Sequence, residues 1–186
     1  DESERRQVEF SERSKLFIEK LNIDEMVAQL LVSEGFATLE EVAFVQQDEI
    51  SSIEGFDANT AEELQARARE CLDEINSEAL SKAKDLGVEQ SLIEFPGLTP
   101  PMLELLAADG VKTLKDFATC ADWELAGGYT TVEGKRVKDD GILESYDVSL
   151  EEARALVMNA RLSTGLITQT EYDEEMVKTK SNDTTE

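Results

Sequence analysis

Histidine is absent from this 186-residue chain. The side chain that most often serves as general base and metal ligand near neutral pH is therefore unavailable. No phosphate-cradling glycine loop and no nucleophile elbow is present either. Paired carboxylates such as Asp139-Asp140 occur, but among 42 acids they read as solvated surface. No catalytic, metal-ligating or cofactor-binding residue is assigned, and the chain is expected not to be an enzyme. Cysteine is scarce: Cys71 and Cys120 make neither a disulfide framework nor a metal site. Cys71 keeps helical register with Leu64, Ala68, Leu72 and Ile75, so it is expected as a small core residue. No apolar run reaches the length of a membrane span and no signal peptide opens the chain, so a cytoplasmic location is expected. The chain starts Asp1-Glu2-Ser3-Glu4 without an initiator Met, which suggests a fragment of a longer protein. Bases are the last shortage: 18 Lys and Arg stand against those 42 acids, for a net charge of −24. Such a field repels phosphate backbones and anionic membranes. It suits a basic protein partner, or the masking of a basic surface elsewhere in a longer protein, or solubility alone.

What the chain does contain is a repeat. Leu30–Glu41 reads LLVSEGFATLEE and returns at Leu105–Asp116 as LLAADGVKTLKD, an offset of 75. Each copy reads as a helix end, a glycine turn and a new helix. Gly35 and Gly110 sit where φ > 0 is needed, and the apolar Phe36 and Val111 complete a Schellman pattern. Thr38 and Thr113 follow as N-caps, each with an acid three residues on, as in a capping box.

Apolar spacings of three and four predict helices throughout. Residues 1–9 read as a linker, and 10–75 as a first repeat with a lead-in helix carrying Phe17, Ile18 and Leu21. The next helix has Met26, Val27, Leu30 and Leu31 directed inward, and the one after the Gly35 turn has Leu39, Val42, Ala43 and Phe44. Residues 76–91 form a polar linker helix ended by Gly87, and 92–166 a second repeat. The closing helices share Ala-x-x-Leu-x-x-x-Ala-Arg at Ala61–Arg69 and Ala153–Arg161, offset by 92, so the second repeat carries 17 extra residues. The extra residues fall within the insertion 127–144, which alternates around Glu133-Gly134 and can form a small β-hairpin. Ser149 and Glu152 make a capping box for the last helix. The polar tail, 167–186, is expected to be disordered.

Four turns share a finer form: Leu21–Asp24, Glu54–Asp57, Pro96–Thr99 and Tyr146–Ser149. A residue tolerant of φ > 0 (Asn22, Gly55, Gly97 or Asp147) precedes an apolar residue and an N-cap (Asp24, Asp57, Thr99 or Ser149). Pro100 at the first helical position suits Thr99 as cap. This form resembles the helix-hairpin-helix motif, two copies per repeat. The fold class expected is therefore all-α: two tandem small helical domains of paired helix-hairpin-helix, SAM-like motifs, with the hairpin insertion in the second. Such modules often bind nucleic acid through hairpin amides assisted by Lys or Arg. These hairpins carry Glu54 and Asp57, or Thr99 with two prolines, and no base. Lys135, Arg136 and Lys138 are the only basic cluster left for a nucleic-acid module.

The wording of the repeats, VAQLLVSEGFATLEEVAFV and ISSIEGFDANTAEELQARARE, is similar to the C-terminal acidic repeats of the NusA family of bacterial transcription factors. The likeness is close over Leu21–Leu72 and good over Phe95–Leu162; Asp1–Lys20 resembles the segment joining such repeats to the RNA-binding part. The insertion and tail depart from the shortest form of the second repeat. The resemblance implies a protein-binding module of a transcription elongation, termination and antitermination factor. Partners implied are the RNA polymerase α C-terminal domain, the factor's own S1/KH RNA-binding domains, and antitermination proteins, with little direct nucleic-acid binding. Acids beside an exposed aromatic suit a basic partner, which points to Glu104, Asp109, Asp116, Asp122, Trp123 and Glu124 in the second repeat. Trp123 is alternatively a core anchor.

Overall fold

The computed structural model describes residues 1–182. Over these it is helical but for one two-stranded hairpin, and the chain divides into two compact units, Asp1–Ile75 and Asn76–Glu186. The first holds α1 (Glu2–Leu21), α2 (Glu25–Ser33), α3 (Leu39–Phe44), α4 (Gln47–Ser51) and the start of α5 (Ala58–Asp85). The second follows with α6 (Gln90–Ile93), α7 (Pro100–Ala108), α8 (Leu114–Ala118) and α9 (Asp122–Ala126). After these come β1 (Gly128–Val132), β2 (Lys135–Asp139), α10 (Leu150–Ser163) and α11 (Gln169–Asn182). Element starts repeat with the sequence: α2, α3 and α4 begin 75 residues before α7, α8 and α9, and α5 begins 92 before α10.

Backbone geometry explains the recurring residue types. The Phe36 N–H donates to the Leu31 carbonyl (3.1 Å) and the Gly35 N–H to that of Val32 (3.0 Å), with Gly35 at φ 98°. Val111 and Gly110 repeat both bonds onto Leu106 and Ala107 at 2.8 and 3.0 Å. These are Schellman closures, and they satisfy the carbonyls that a helix end leaves open. All four hairpins carry the expected positive φ: Asn22 54°, Gly55 93°, Gly97 100° and Asp147 55°. Caps follow. Oδ1 of Asp24 accepts from the Val27 amide, Oδ1 of Asp57 from Thr60, and the hydroxyls of Thr38, Thr113 and Ser149 from Glu41, Asp116 and Glu152. Of these three hydroxyl caps, Thr113 has the full reciprocal box, because the Asp116 carboxylate also accepts from the Thr113 and Lys112 amides. Glu41 instead reaches the Ala37 amide. Thr99 makes no side-chain cap bond; Pro100 and Pro101 occupy the first turn, where proline has no N–H to offer.

Each unit closes its own core. Phe17, Leu31, Val42, Ile50 and Leu64 are buried in the first; Leu92, Leu106, Phe117, Leu125 and Val157 in the second. The rings of Phe95 and Phe117 meet at 5.8 Å. Cys71 packs half-buried against the first core, and Cys120 is buried.

Several segments differ from expectation. The stretch 1–9, expected as a linker, opens α1: Asp1 caps the helix and Arg6 pairs with Glu2 at 2.8 Å. The expected helix before Gly87 is present, with Gly87 at φ 96°, but it is the continuation of α5 through residues 76–85, and Ala83 and Val88 belong to the second core. Residues 169–182 of the expected disordered tail form α11, opened by the Thr168 hydroxyl accepting from the Glu171 amide. Residues 183–186 of that tail lie outside the described residues. Met26 and Phe44 face outward, 72% and 69% exposed, because helices this short bury only one narrow stripe. The insertion does pair: β1 and β2 are antiparallel around Glu133-Gly134, both at positive φ, as a two-residue hairpin loop requires.

Candidate partner-binding surface

Beyond its lead-in helix, the first repeat has little positive charge. Residues 22–75 contain fourteen acids and only two bases, Arg67 and Arg69. Arg67 donates from Nη1 to the carbonyls of Leu21 (3.1 Å) and Asn22 (3.0 Å), closing the first hairpin, and also pairs with Glu63. Arg69 donates from Nε to the Ala43 carbonyl at 3.1 Å. Both guanidinium groups are internal struts. The helix N-terminus that a phosphate would seek at the second hairpin is occupied by Asp57. The Thr60 amide, donating at 2.8 Å, holds that carboxyl below the usual aspartate range.

The Arg69 strut recurs. Arg161 donates from Nε to the Ala118 carbonyl at 2.9 Å and from Nη2 to that of Cys120 at 3.3 Å. Arg69 and Arg161 are 92 residues apart and their acceptors Ala43 and Ala118 are 75 apart, so both ends follow the repeat. No local spacing announces either strut; the shared Ala-Arg at the close of each helical pattern is the visible trace.

The five acids and one aromatic singled out in the second repeat do not form one site. Asp116 is spent on its cap; the Lys112 amide, then that of Thr113, keeps its carboxyl below the usual range. Glu104 lies 4.0 Å from Lys82. Burial pushes the Cys120 thiol up to about 11, helped by the negative charges of Glu124, Asp109 and Asp116. Asp122 and Trp123 differ. Trp123 is 53% exposed, so it is not a core anchor, and its amide donates to Oδ1 of Asp122 at 2.8 Å.

Both residues line a cavity of about 550 Å³ between the start of α9, α10 and α11. Its floor is Val157, Met158 and Ile167; Arg154 and Arg161 cross it, and Glu171, Glu174 and Glu175 edge it. Arg154 pairs with Glu175 at 2.8 Å, which ties α11 to α10. Sequence reasoning missed this cavity because its far wall is α11.

The hairpin insertion stands exposed on both faces. The Arg136 guanidinium lies 4.2 Å from the centre of the Tyr129 ring. Lys138 bonds Glu144 at 3.1 Å, which raises the lysine and lowers the carboxyl from their ordinary values. Two members of the basic cluster are thus already engaged. Among the described residues no helix is long and apolar enough to cross a membrane.

Comparison with known proteins agrees with this architecture. A family described as "SAM-like Helix-hairpin-helix tandem" matches residues 22–70. Two proteins named "Transcription termination/antitermination protein NusA", from Rickettsia prowazekii (strain Madrid E) and Rickettsia conorii (strain ATCC VR-613 / Malish 7), are each 37% identical over 115 residues. The aligned part is 62% of this chain and spans 23% of the length of those relatives. The chain is a tandem of helix-hairpin-helix units related to the C-terminal repeat region of NusA proteins.

Proposed function

We propose that the chain is a non-enzymatic protein-interaction module of a transcription termination and antitermination factor. It binds the RNA polymerase α C-terminal domain or other regulators, antitermination proteins among them, and masks the factor's own S1/KH RNA-binding surface. The observation carrying this reading is the disposition of charge: both bases of residues 22–75 are tied to main-chain carbonyls while the acids face solvent. Such a surface is repulsive to phosphate and attractive to a basic domain that itself grips nucleic acid. Adding the chain in trans to an S1–KH fragment of the same factor should weaken RNA binding, most strongly at low ionic strength. RNA affinity unchanged at every salt concentration would sink the masking role.

The second reading is a helix-hairpin-helix nucleic-acid module, favoured only by Lys135, Arg136 and Lys138 on the exposed hairpin. Tight DNA binding by this chain in a low-salt gel-shift assay, falling steeply with salt, would favour it over the first.

A further inference from the structure

The two units present different residues at matching places. Where the second unit has Trp123 the first has Asp48, and where it has Arg154, Val157 and Met158 the first has Glu62, Gln65 and Ala66. Gln65 is buried and donates to the Val42 and Val45 carbonyls, so that place in the first unit is filled by a polar tie. In the second unit the same place opens into the cavity beneath α11. Its size lies within the range of about 300–1,000 Å³ seen for pockets that take ligands.

From this geometry we infer that the groove between Trp123, α10 and α11 is a docking site for a basic protein segment, which lays an arginine or lysine against the indole and an aliphatic side chain on the half-buried Ile167. Charge complementarity selects the occupant. The charge of each groove arginine is met internally: Arg161 donates to the Ala118 and Cys120 carbonyls, and Arg154 pairs through Nη2 with Glu175, while its buried Nε is left without a partner among the described residues. The carboxylates of Asp122, Glu171 and Glu174 therefore set the sign of the rim. A half-exposed indole among carboxylates favours a cation over its face. An anionic ligand or a nucleic acid would meet the same rim and be repelled.

The inference rests on the protein-interaction reading above and names where on the second unit a basic partner is held. Trp123 is the only tryptophan in the chain, so its emission reports on the groove directly. The probe is a fluorescein-labelled helical peptide of about twelve residues alternating Leu and Arg at helical spacing. A control peptide has Glu in place of Arg. Saturable binding of the Arg peptide is expected, read by anisotropy and accompanied by a change in Trp123 emission, with none for the Glu peptide. Trp123→Asp, which installs the residue of the first unit, and the pair Glu171→Gln/Glu174→Gln should each weaken binding about tenfold. The pair Glu62→Gln/Glu70→Gln, on the first unit, should leave it within about twofold. Equal loss from both glutamate pairs would mean that the peptide reads net charge alone, and full retention in Trp123→Asp would place it elsewhere; either overturns the groove. Should Trp123→Asp disturb the fold, seen by circular dichroism, the glutamate pairs still decide. Repeating the titration with the polymerase α C-terminal domain separates the two claims. Binding that ignores the groove substitutions defeats the groove alone, whereas peptide capture without domain binding defeats the named partner alone.

Discussion

The two units share one scaffold and differ in what lies between the last short helix and the closing helix. In the first, α4 joins α5 through six residues, and the surface is covered by Gln65 bonding back to Val42 and Val45. In the second, α9 leads into the β1–β2 insertion before α10, and α11 adds a further helix. Turns and struts recur at fixed offsets, while the α9–α10 face differs: Asp48 and Gln65 of the first unit are matched by Trp123 and Val157 of the second. Repeated features belong to folding. Diverged ones are where a partner unique to one unit can be told from the other.

Substitutions that hit the scaffold in both units test the first half of this contrast. The largest effect is expected at Gly97, where an added Cβ would approach Leu156 Cδ2 at 2.6 Å and φ is 100°. Gly97→Ala should cost about 2 kcal/mol, from left-handed strain and crowding together. Gly55→Ala has the same backbone strain but open space around it, and should cost only about 1 kcal/mol. Urea unfolding of each unit's core measures both. Equal losses would mean that Leu156 moves aside freely.

The struts come next. Arg161 serves two carbonyls and Arg69 one, so Arg161→Ala should destabilise by about 2 kcal/mol and Arg69→Ala by about 1 kcal/mol. The reverse order in thermal melts would show that one carbonyl is satisfied by water. For the caps, Thr38→Ala and Thr113→Ala should each cost about 1 kcal/mol, since each removes one amide acceptor. Asp116→Ala should exceed Glu41→Ala, because Asp116 accepts from two amides and Glu41 from one.

The smallest expected effect is on pH dependence. Asp57 and Asp116 have carboxyls lowered in the folded state. Their contribution is full above the unfolded value of about 3.8 and is lost as pH falls through the folded value. Asp57→Asn should flatten the acid limb of the first unit and Asp116→Asn that of the second, each leaving the other unchanged. Acid titrations followed by a core probe in each unit would show crossed effects if the caps are shared.

How far these features could be read from sequence follows from their physics. Gly35, Gly110 and the four hairpin residues were legible because positive φ admits few residue types, and Thr or Asp beside them marks a cap. The starts of α1 and α11 were not. Those first turns rest on caps and on i, i+4 pairs such as Glu2 with Arg6 and Gln169 with Asp173, and carry no apolar stripe. The Arg69 and Arg161 struts reach carbonyls 26 and 43 residues away, which no local spacing announces. At the candidate site, Trp123 and Asp122 could be named from sequence. Their company could not, because the groove needs α11, and Asp116 is no free rim charge, since its carboxylate closes a cap.

The central claim is that the second unit, not the hairpins, meets a basic partner. The most direct measurement is a titration of the ¹⁵N-labelled chain with the polymerase α C-terminal domain, mapping amide shifts at two salt concentrations. Shifts should be largest at Asp122–Glu124 and along α10 and α11 and should weaken as salt rises, with smaller ones over the acidic face of the first unit. Shifts centred on the Gly55 and Gly97 hairpins, or on Tyr129 and Arg136 of the insertion, would contradict it.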